Sequence, residues 1–251
     1  MSKEIKIVPL CEHADFDRCV AIQDEVWSYE PSSRMSQKTF LLASQIGGQV
    51  LGAFDEEKMV GYAMSLPGVR NGHAYLHSHH LAVLPEWRNY GVGRRLKLAQ
   101  RDDALTRGIE LIEWTFDPLE IKNAHLNIAK LGAIIRRYRR NFYGESSSPL
   151  HGGLPTDRVF AEWWLKSDRV VRALHGEQPR AQIIEHVDVP AALAEWKASP
   201  ATRDQARKVQ EANAAALEAA FARGLAVLGY KRNEQGDGSY LLGKWDEDFS
   251  Y

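Results

Sequence analysis

Apolar and polar positions along the chain follow two spacings, and the change from one to the other marks the elements. Residues 5–9 predict a short strand. From Phe16, steps of three and four link Cys19, Val20, the polar Gln23, Val26 and Trp27, which predicts an amphipathic helix with Cys19 facing the core. Residues 28–39 are polar and are expected to form a loop. Gln49–Phe54 and Met59–Leu66, joined by a DEEK turn, predict a β-hairpin that ends at PGVRNG. Tyr75–Leu84 is the next strand, stopped by Pro85. RNYGVG then opens a helix to about Arg107, with Gly108 as its stop. Residues 109–116 are strand-like. A helix over about 120–131 follows, with Ile121, Ala124, Ile128 and Leu131 on one stripe.

The second part continues with a Gly/Ser/Pro-rich loop at 144–157 and a strand at Val159–Leu165. Then come a strand at Gln182–Val187, a short helix at Pro190–Ala198 and a long helix at Thr202–Arg223. Leu225–Tyr230 and Ser239–Trp245 predict a closing hairpin around QGDG. The long helix carries Val209, Ala212, Ala216, Leu217, Ala220 and Phe221 as an expected buried stripe. Strands together with helices give an α/β (α+β) chain. At 251 residues it fits one large domain or a domain with an extension.

Charge narrows the function classes. Lys plus Arg is 32 and Asp plus Glu 33, so no strong field for nucleic acid is expected. No apolar run nears the roughly 18 residues of a membrane span, and the start is too charged for a signal peptide. Two cysteines, Cys11 and Cys19, exclude a disulfide scaffold, and a cytoplasmic location is the default. The nine histidines lack metal-ligand spacing, so no metal is expected.

The chemistry concentrates in His77–Gly93: a strand, a Pro-marked turn, then R-x-x-G-x-G at a helix start. Glycines let an anion approach the backbone, and the first helical N–H groups lack internal partners, so a pyrophosphate is the natural guest. Arg88 and Arg94 could add charge. The pattern lacks the third glycine of a dinucleotide fingerprint and the Gly-Lys-Ser/Thr of a nucleotide-triphosphate loop. On one face of the strand the two-residue period sets His77, His79, Leu81 and Val83, and on the other His80 and Ala82. His79 is the first candidate base, since its titration lies near neutrality. In the next strand Ile109, Leu111, Glu113 and Thr115 share a face, where a carboxylate among apolar groups could act as base. His73 and His125 are expected at the surface. Arg136, Arg137, Arg139 and Arg140 read as a solvated helix face, or as a site for an acidic acceptor or a phosphate.

Ser78-His79-His80-Leu81-Ala82-Val83-Leu84-Pro85-Glu86, Asp117-Pro118-Leu119, the run Asn123–Gly132 (NAHLNIAKLG) and Pro155-Thr156-Asp157-Arg158 together resemble the Gcn5-related N-acetyltransferase (GNAT) superfamily. The likeness extends to a branch of predicted acetyltransferases with a C-terminal extension. It covers at least 5–165. It implies a GNAT fold, a mixed, mostly antiparallel sheet flanked by helices and splayed between the strands at 75–84 and 109–116, with acetyl-CoA as cosubstrate in that gap. It implies a GNAT acyl-CoA-binding domain at 1–165 and an α/β extension at 166–251, packed on the core or on a second subunit. The reaction implied is transfer of an acetyl or other short acyl group to an amine by direct attack. The rival is an acyl-CoA-binding regulatory or sensor module without turnover. By resemblance, the backbone of Leu81, Ala82 and Val83 pairs with pantetheine. The amides of Asn89, Tyr90, Gly91, Val92, Gly93 and Arg94 hold the pyrophosphate, and Asn123 and Asn127, four apart on one helix face, flank the pantetheine arm. The tyrosine that commonly serves as acid falls on Ile128 or Asn127, so Tyr138 and Tyr143 are the substitutes. A small-molecule or peptide amine is the expected partner. Nucleic acid and membrane are not, and a homodimer is allowed.

Overall fold

β-branched and aromatic residues in alternation build a first antiparallel meander. The computed structural model describes residues 4–28, 33–144, 152–177 and 181–245. Strand β1 (Ile5–Pro9) pairs with β2 (Gln49–Asp55), and β2 with β3 (Lys58–Arg70). Strand β4 (His73–Val83) is antiparallel to β3, while β5 (Leu111–Phe116) is parallel to β4. Strand β3 does not stop at Pro67: it runs to Arg70, because the turn is made by Asn71 and Gly72, both at positive φ, as a two-residue hairpin loop requires.

Helices α1 (His13–Trp27), α2 (Gln37–Gln45) and α3 (Val92–Thr106) pack on this sheet. Phe16, Cys19 and Ile22 of α1 are buried with Phe40 of α2 and Tyr62 of β3 in one apolar core. Gln23 lies in the same stripe because Met35 satisfies its amide on both sides, N–H to Oε1 and Nε2–H to the carbonyl, each at 3.0 Å. Helix α2 begins inside the segment expected to be loop. Ser36 caps it, its Oγ accepting from the Thr39 N–H at 3.4 Å.

The chain forms two compact units that divide between Glu113 and Trp114, within β5. In the second unit α4 (Ile121–Ala124) leads into a π-helical stretch, His125–Lys130. Strands follow in the order β7 (Arg158–Trp164), β6 (Ile134–Arg139), β9 (Leu225–Arg232), β10 (Gly238–Lys244), β8 (Ile183–Val189). The arginine-rich segment is therefore strand β6 and not a helix face. Ile134, Ile135 and Tyr138 are its buried members, a set that strand pairing with β7 and β9 selects.

Helix α5 (Asp168–Leu174), capped by Ser167, was not signalled by the periodicity. Helices α6 (Leu193–Ala198) and α7 (Arg203–Ala222) fall as expected. The buried face of α7 is turned from the expected stripe: Ala206, Gln210, Asn213, Ala214, Leu217 and Ala220 are inside, Ala212 and Ala216 outside. Gln210 and Asn213 are admitted because their amides donate to the carbonyls of Pro155 at 2.9 Å and Asp188 at 3.0 Å. Of the expected loops, residues 29–32 and 145–151 lie outside the described residues. Among the described residues, no helix is long and apolar enough to cross a membrane.

Candidate functional site

The site of interest begins with a register shift. Met64 pairs with His80 but Ser65 with Ser78, so β4 carries one extra residue, His79, at a β-bulge. The extra residue reverses which side chains face which layer. Ser78 reaches α3, where its Oγ accepts from Lys97 Nζ at 2.8 Å and donates to Gln100 Oε1 at 3.0 Å. His80, two residues on, faces the other layer: its Nδ1 is 3.0 Å from the Tyr62 hydroxyl and its ring 4.8 Å from that of Trp27 in α1. Beyond the bulge the odd positions face α3. The expectation that His77, His79, Leu81 and Val83 share one face fails for this reason. Instead the rings of His79 and His80 stack, with centroids 4.7 Å apart, and His77 lies 6.2 Å from His79.

Burial is the main cause that lowers the pKa of both central histidines, His79 and His80, with the neighbouring histidine adding to each. His80 is pushed down to about 3. Both are neutral at pH 7, and His79 is half-buried, so its ring can accept a proton. Glu113 is not an isolated carboxylate among apolar groups. Its Oε2 accepts from Arg70 Nη2 at 2.9 Å and its Oε1 lies 3.6 Å from His77 Nδ1, a spacing set by the parallel pairing of His77 with Glu113.

The β4–β5 ladder covers two pairs, Leu76 with Ile112 and His77 with Glu113, whereas the β3–β4 ladder continues to Val83. After β4, a single 3₁₀ turn (Pro85–Trp87) leads to the glycine loop. Asn89 has φ +68° and Gly91 φ +77°, and Gly91 is the N-cap of α3 without a side-chain cap. A Cβ at Gly91 would meet nothing within 4 Å. At Gly93 it would stand 3.6 Å from Leu81 Cδ2 and 3.9 Å from Val83 Cγ2, so the loop lies beside the end of β4. The first N–H groups of α3 have no carbonyl within the helix to bond and carry its positive dipole end. Val92 is buried and anchors the loop, while Arg88, Asn89 and Tyr90 are exposed, and Arg88 Nε donates to the Val83 carbonyl at 3.3 Å. The residues present therefore fit a phosphate group: bare backbone, open space and a helix start.

In the second unit the expected roles meet internal partners. The hydroxyl of Tyr138 donates to Asp157 Oδ2 at 2.5 Å, and burial first, then that carboxylate, raise its pKa, so it is a poor proton donor. Tyr143 is exposed, with its hydroxyl 3.0 Å from Thr115 Oγ1. Asn123 is exposed and Asn127 buried. The winding changes from α- to π-type between them, after Ala124. His125 is half-buried rather than at the surface, and burial lowers its pKa. Arg136 and Arg137 pair with Glu162, and Arg140 with Glu218, so the arginine cluster is largely neutralised within the unit.

Lys97, Ser78 and Gln100 were missed by sequence reasoning. The available signal was spacing: Gly93, Lys97, Gln100 and Ala104 form one stripe of α3. Among the described residues, no three His, Cys, Asp or Glu side chains are grouped to hold a metal ion.

The model of the acetyltransferase (GNAT) family matches residues 16–132. That segment is a GNAT acetyltransferase domain. It contains strands β2 to β5, the bulge and the glycine loop. No curated protein matches the chain in sequence. Solved structures of GNAT acetyltransferases share the fold. The ribosomal-protein-S18-alanine N-acetyltransferase of Escherichia coli is 20% identical with a TM-score of 0.53, over 65% of this chain and 96% of that one. A putative acetyltransferase of Acinetobacter baylyi is 17% identical with a TM-score of 0.54, over 66% and 94%. A putative GNAT-family acetyltransferase of Desulfovibrio desulfuricans is 13% identical with a TM-score of 0.51, over 64% and 99%. At these identities the likeness extends to the fold and not to the acceptor.

Proposed function

We propose that the protein transfers an acetyl or other short acyl group from acyl-CoA to the amine of a small molecule or peptide. The observation that carries this is the glycine loop at the start of α3, lying beside Leu81 and Val83 at the end of β4. A phosphate and an extended amide-bearing arm then have adjoining partners. The amides of Asn89–Arg94 bind the pyrophosphate, and the backbone of Leu81, Ala82 and Val83 pairs with the pantetheine amides as an added strand.

The neutral amine attacks the thioester carbonyl directly, a C–N bond forms, and the C–S bond breaks as the thiolate leaves. His79 takes the proton that the amine loses, directly or through water, and its neutral state at pH 7 supports that role. Glu113, held by Arg70, is the second candidate, and its Oε1, 3.6 Å from His77 Nδ1, suits orientation of that ring. Among the described residues, no group stands out as acid for the thiolate. Asn127 or Ile128 occupies the place where a tyrosine is common, and Tyr138 is committed to Asp157. That specific gap favours a second reading, an acyl-CoA-binding module without turnover.

The functional partition is a domain at 1–165 and an extension at 166–251. Pairing of Val227 in β9 with Ile135 in β6 supports an extension that packs on the core. A thiol-release assay with acetyl-CoA and an amine panel, run beside calorimetric binding of acetyl-CoA, tests the proposal. Release with at least one amine is expected. Binding without release across the panel supports the module, and no binding overturns both readings.

A further inference from the structure

The bulge at His79 is pinned from its α3 side by a chain of buried hydrogen bonds. Lys97 Nζ donates to Ser78 Oγ at 2.8 Å, and Ser78 donates to Gln100 Oε1 at 3.0 Å. The Gln100 carbonyl accepts from Gln49 Nε2 at 2.8 Å, and Gln49 Oε1 accepts from Ser65 Oγ at 2.9 Å. Ser65 and Ser78 face each other across the ladder, on the near side of the register shift. Both strands of the bulge are thus tied to the helix whose first turn is the glycine loop. Lys97, Ser78, Gln100, Gln49 and Ser65 are all buried.

An apolar stripe would pack here at less cost. Burial holds the Lys97 amine well below its usual pKa, which is a penalty on folding at neutral pH. A residue kept at a cost in stability points to a use other than stability. Bulges re-aim side chains, and this one turns the His79 ring out of the strand's alternation and onto His80.

We infer that Lys97 and Ser78 are positioning residues that fix the β4 bulge against the glycine-loop helix and so hold His79 in register with acyl-CoA bound at that loop. The inference rests on the proposed acyl transfer for its kinetic consequence but not for its structural one.

Ser78→Ala and Lys97→Met are the test, with Ser78→Thr as the conservative rescue, since its hydroxyl can keep both bonds. Acetyl-CoA turnover is followed by thiol release with spermidine, tyramine, glucosamine and an alanine-initiated peptide. The imidazole of His79 is followed by NMR in histidine-labelled full-length protein. Ser78→Ala and Lys97→Met are expected to lower kcat by about 10- to 100-fold, with KM for acetyl-CoA within about threefold. They should also shift the His79 resonances and its titration midpoint, and Ser78→Thr should restore both. Lys97→Met is expected to melt no lower than the parent, which separates positioning from simple loss of fold. Unchanged His79 resonances in folded Ser78→Ala overturn the inference, whatever the kinetics. If the parent turns over none of the amines, the acyl-transfer reading fails instead, and the histidine spectrum alone decides the positioning role.

Discussion

The segment Pro85–Arg94 and the segment Ile134–Trp164 both carry residues that sequence reasoning marked for chemistry, and they use them in opposite ways. In the first, the polar groups at issue are backbone N–H groups at a helix start, left open by glycine and positive φ. In the second, charged and phenolic side chains close on one another: Tyr138 on Asp157, Arg136 and Arg137 on Glu162, Arg140 on Glu218. A buried polar group must be satisfied within the fold. Groups with internal partners are committed to structure, while backbone donors left at a helix start are available for a ligand. By that criterion the first segment is the proposed binding segment and the second is structural support.

The largest expected effect tests the binding side. Gly93→Asp adds a side chain that meets only ordinary contacts with Leu81 and Val83, so the fold should tolerate it. Its carboxylate would stand where a pyrophosphate must sit. Acetyl-CoA affinity by calorimetry is expected to fall at least about 100-fold, roughly 2.7 kcal/mol. Unchanged affinity in the folded variant removes the glycine loop as the cofactor site. Gly91→Asp should do the same but with lower stability, because φ +77° strains any residue with a Cβ. Next in size is His79→Ala, for which turnover with an accepted amine should drop by about 10²–10⁴ while acetyl-CoA affinity is kept. Full activity from pH 6 to 9 would leave deprotonation of the amine to solvent or another group.

The comparison also explains what the sequence made legible. Strands β1 to β5, α1, α3 and the glycine loop were readable as elements, because a run of one period locates each and Pro or Gly closes several of them. The place of the glycines at the start of α3 was readable because it depends on backbone alone. Side-chain faces were less so. A single extra residue at His79 inverted the alternation of β4, and no local signal marks a bulge without glycine. The π-type winding after Ala124 is likewise without a local signal, and the exposure of Asn123 beside the burial of Asn127 was not legible. Alanine carries little hydrophobic contrast, so the periodicity of α7 placed Leu217 and Ala220 correctly but turned Ala212 and Ala216 inward. The arginines of β6 read as solvated because their partners, Glu162 and Glu218, are 26 and 78 residues away along the chain.

Acid stability sharpens the comparison within the first unit. His80 is neutral in the fold, with its pKa pushed down to about 3 from 6.5. The unfolded chain takes up the proton first as pH falls. The stability from His80 is therefore intact above pH 6.5 and is lost as pH falls toward 3, at up to about 1.4 kcal/mol per unit. Urea unfolding at pH 7 and pH 5 measures this loss. In His80→Asn the difference between the two pH values should shrink by about 1–2 kcal/mol. An unchanged difference would mean that other groups govern acid unfolding.

On the supporting side, Tyr138→Phe removes the donor to Asp157 and leaves that carboxylate short of one bond. A stability loss of about 1–3 kcal/mol is expected by urea unfolding, with kcat unchanged at 25 °C. A fall in kcat of tenfold or more in the folded variant would return Tyr138 to the list of acids and blur the line between the two segments.

The smallest effect belongs to Arg88. Its place in R-x-x-G-x-G suggests a phosphate ligand, and a buried charge-assisted bond there would be worth a large share of the affinity. The structure lowers that expectation. Arg88 is exposed, and its Nε donates to the carbonyl of Val83 at 3.3 Å. An exposed guanidinium is screened by water and salt, and pairs of that kind contribute about 0–1 kcal/mol. Arg88→Ala should therefore weaken acetyl-CoA binding by less than about fivefold at 0.15 M salt, and by somewhat more at 0.01 M. If the loss exceeds about 30-fold and does not depend on salt, Arg88 is drawn into a desolvated contact when the ligand binds. The binding segment would then depend on a side chain as well as on its backbone.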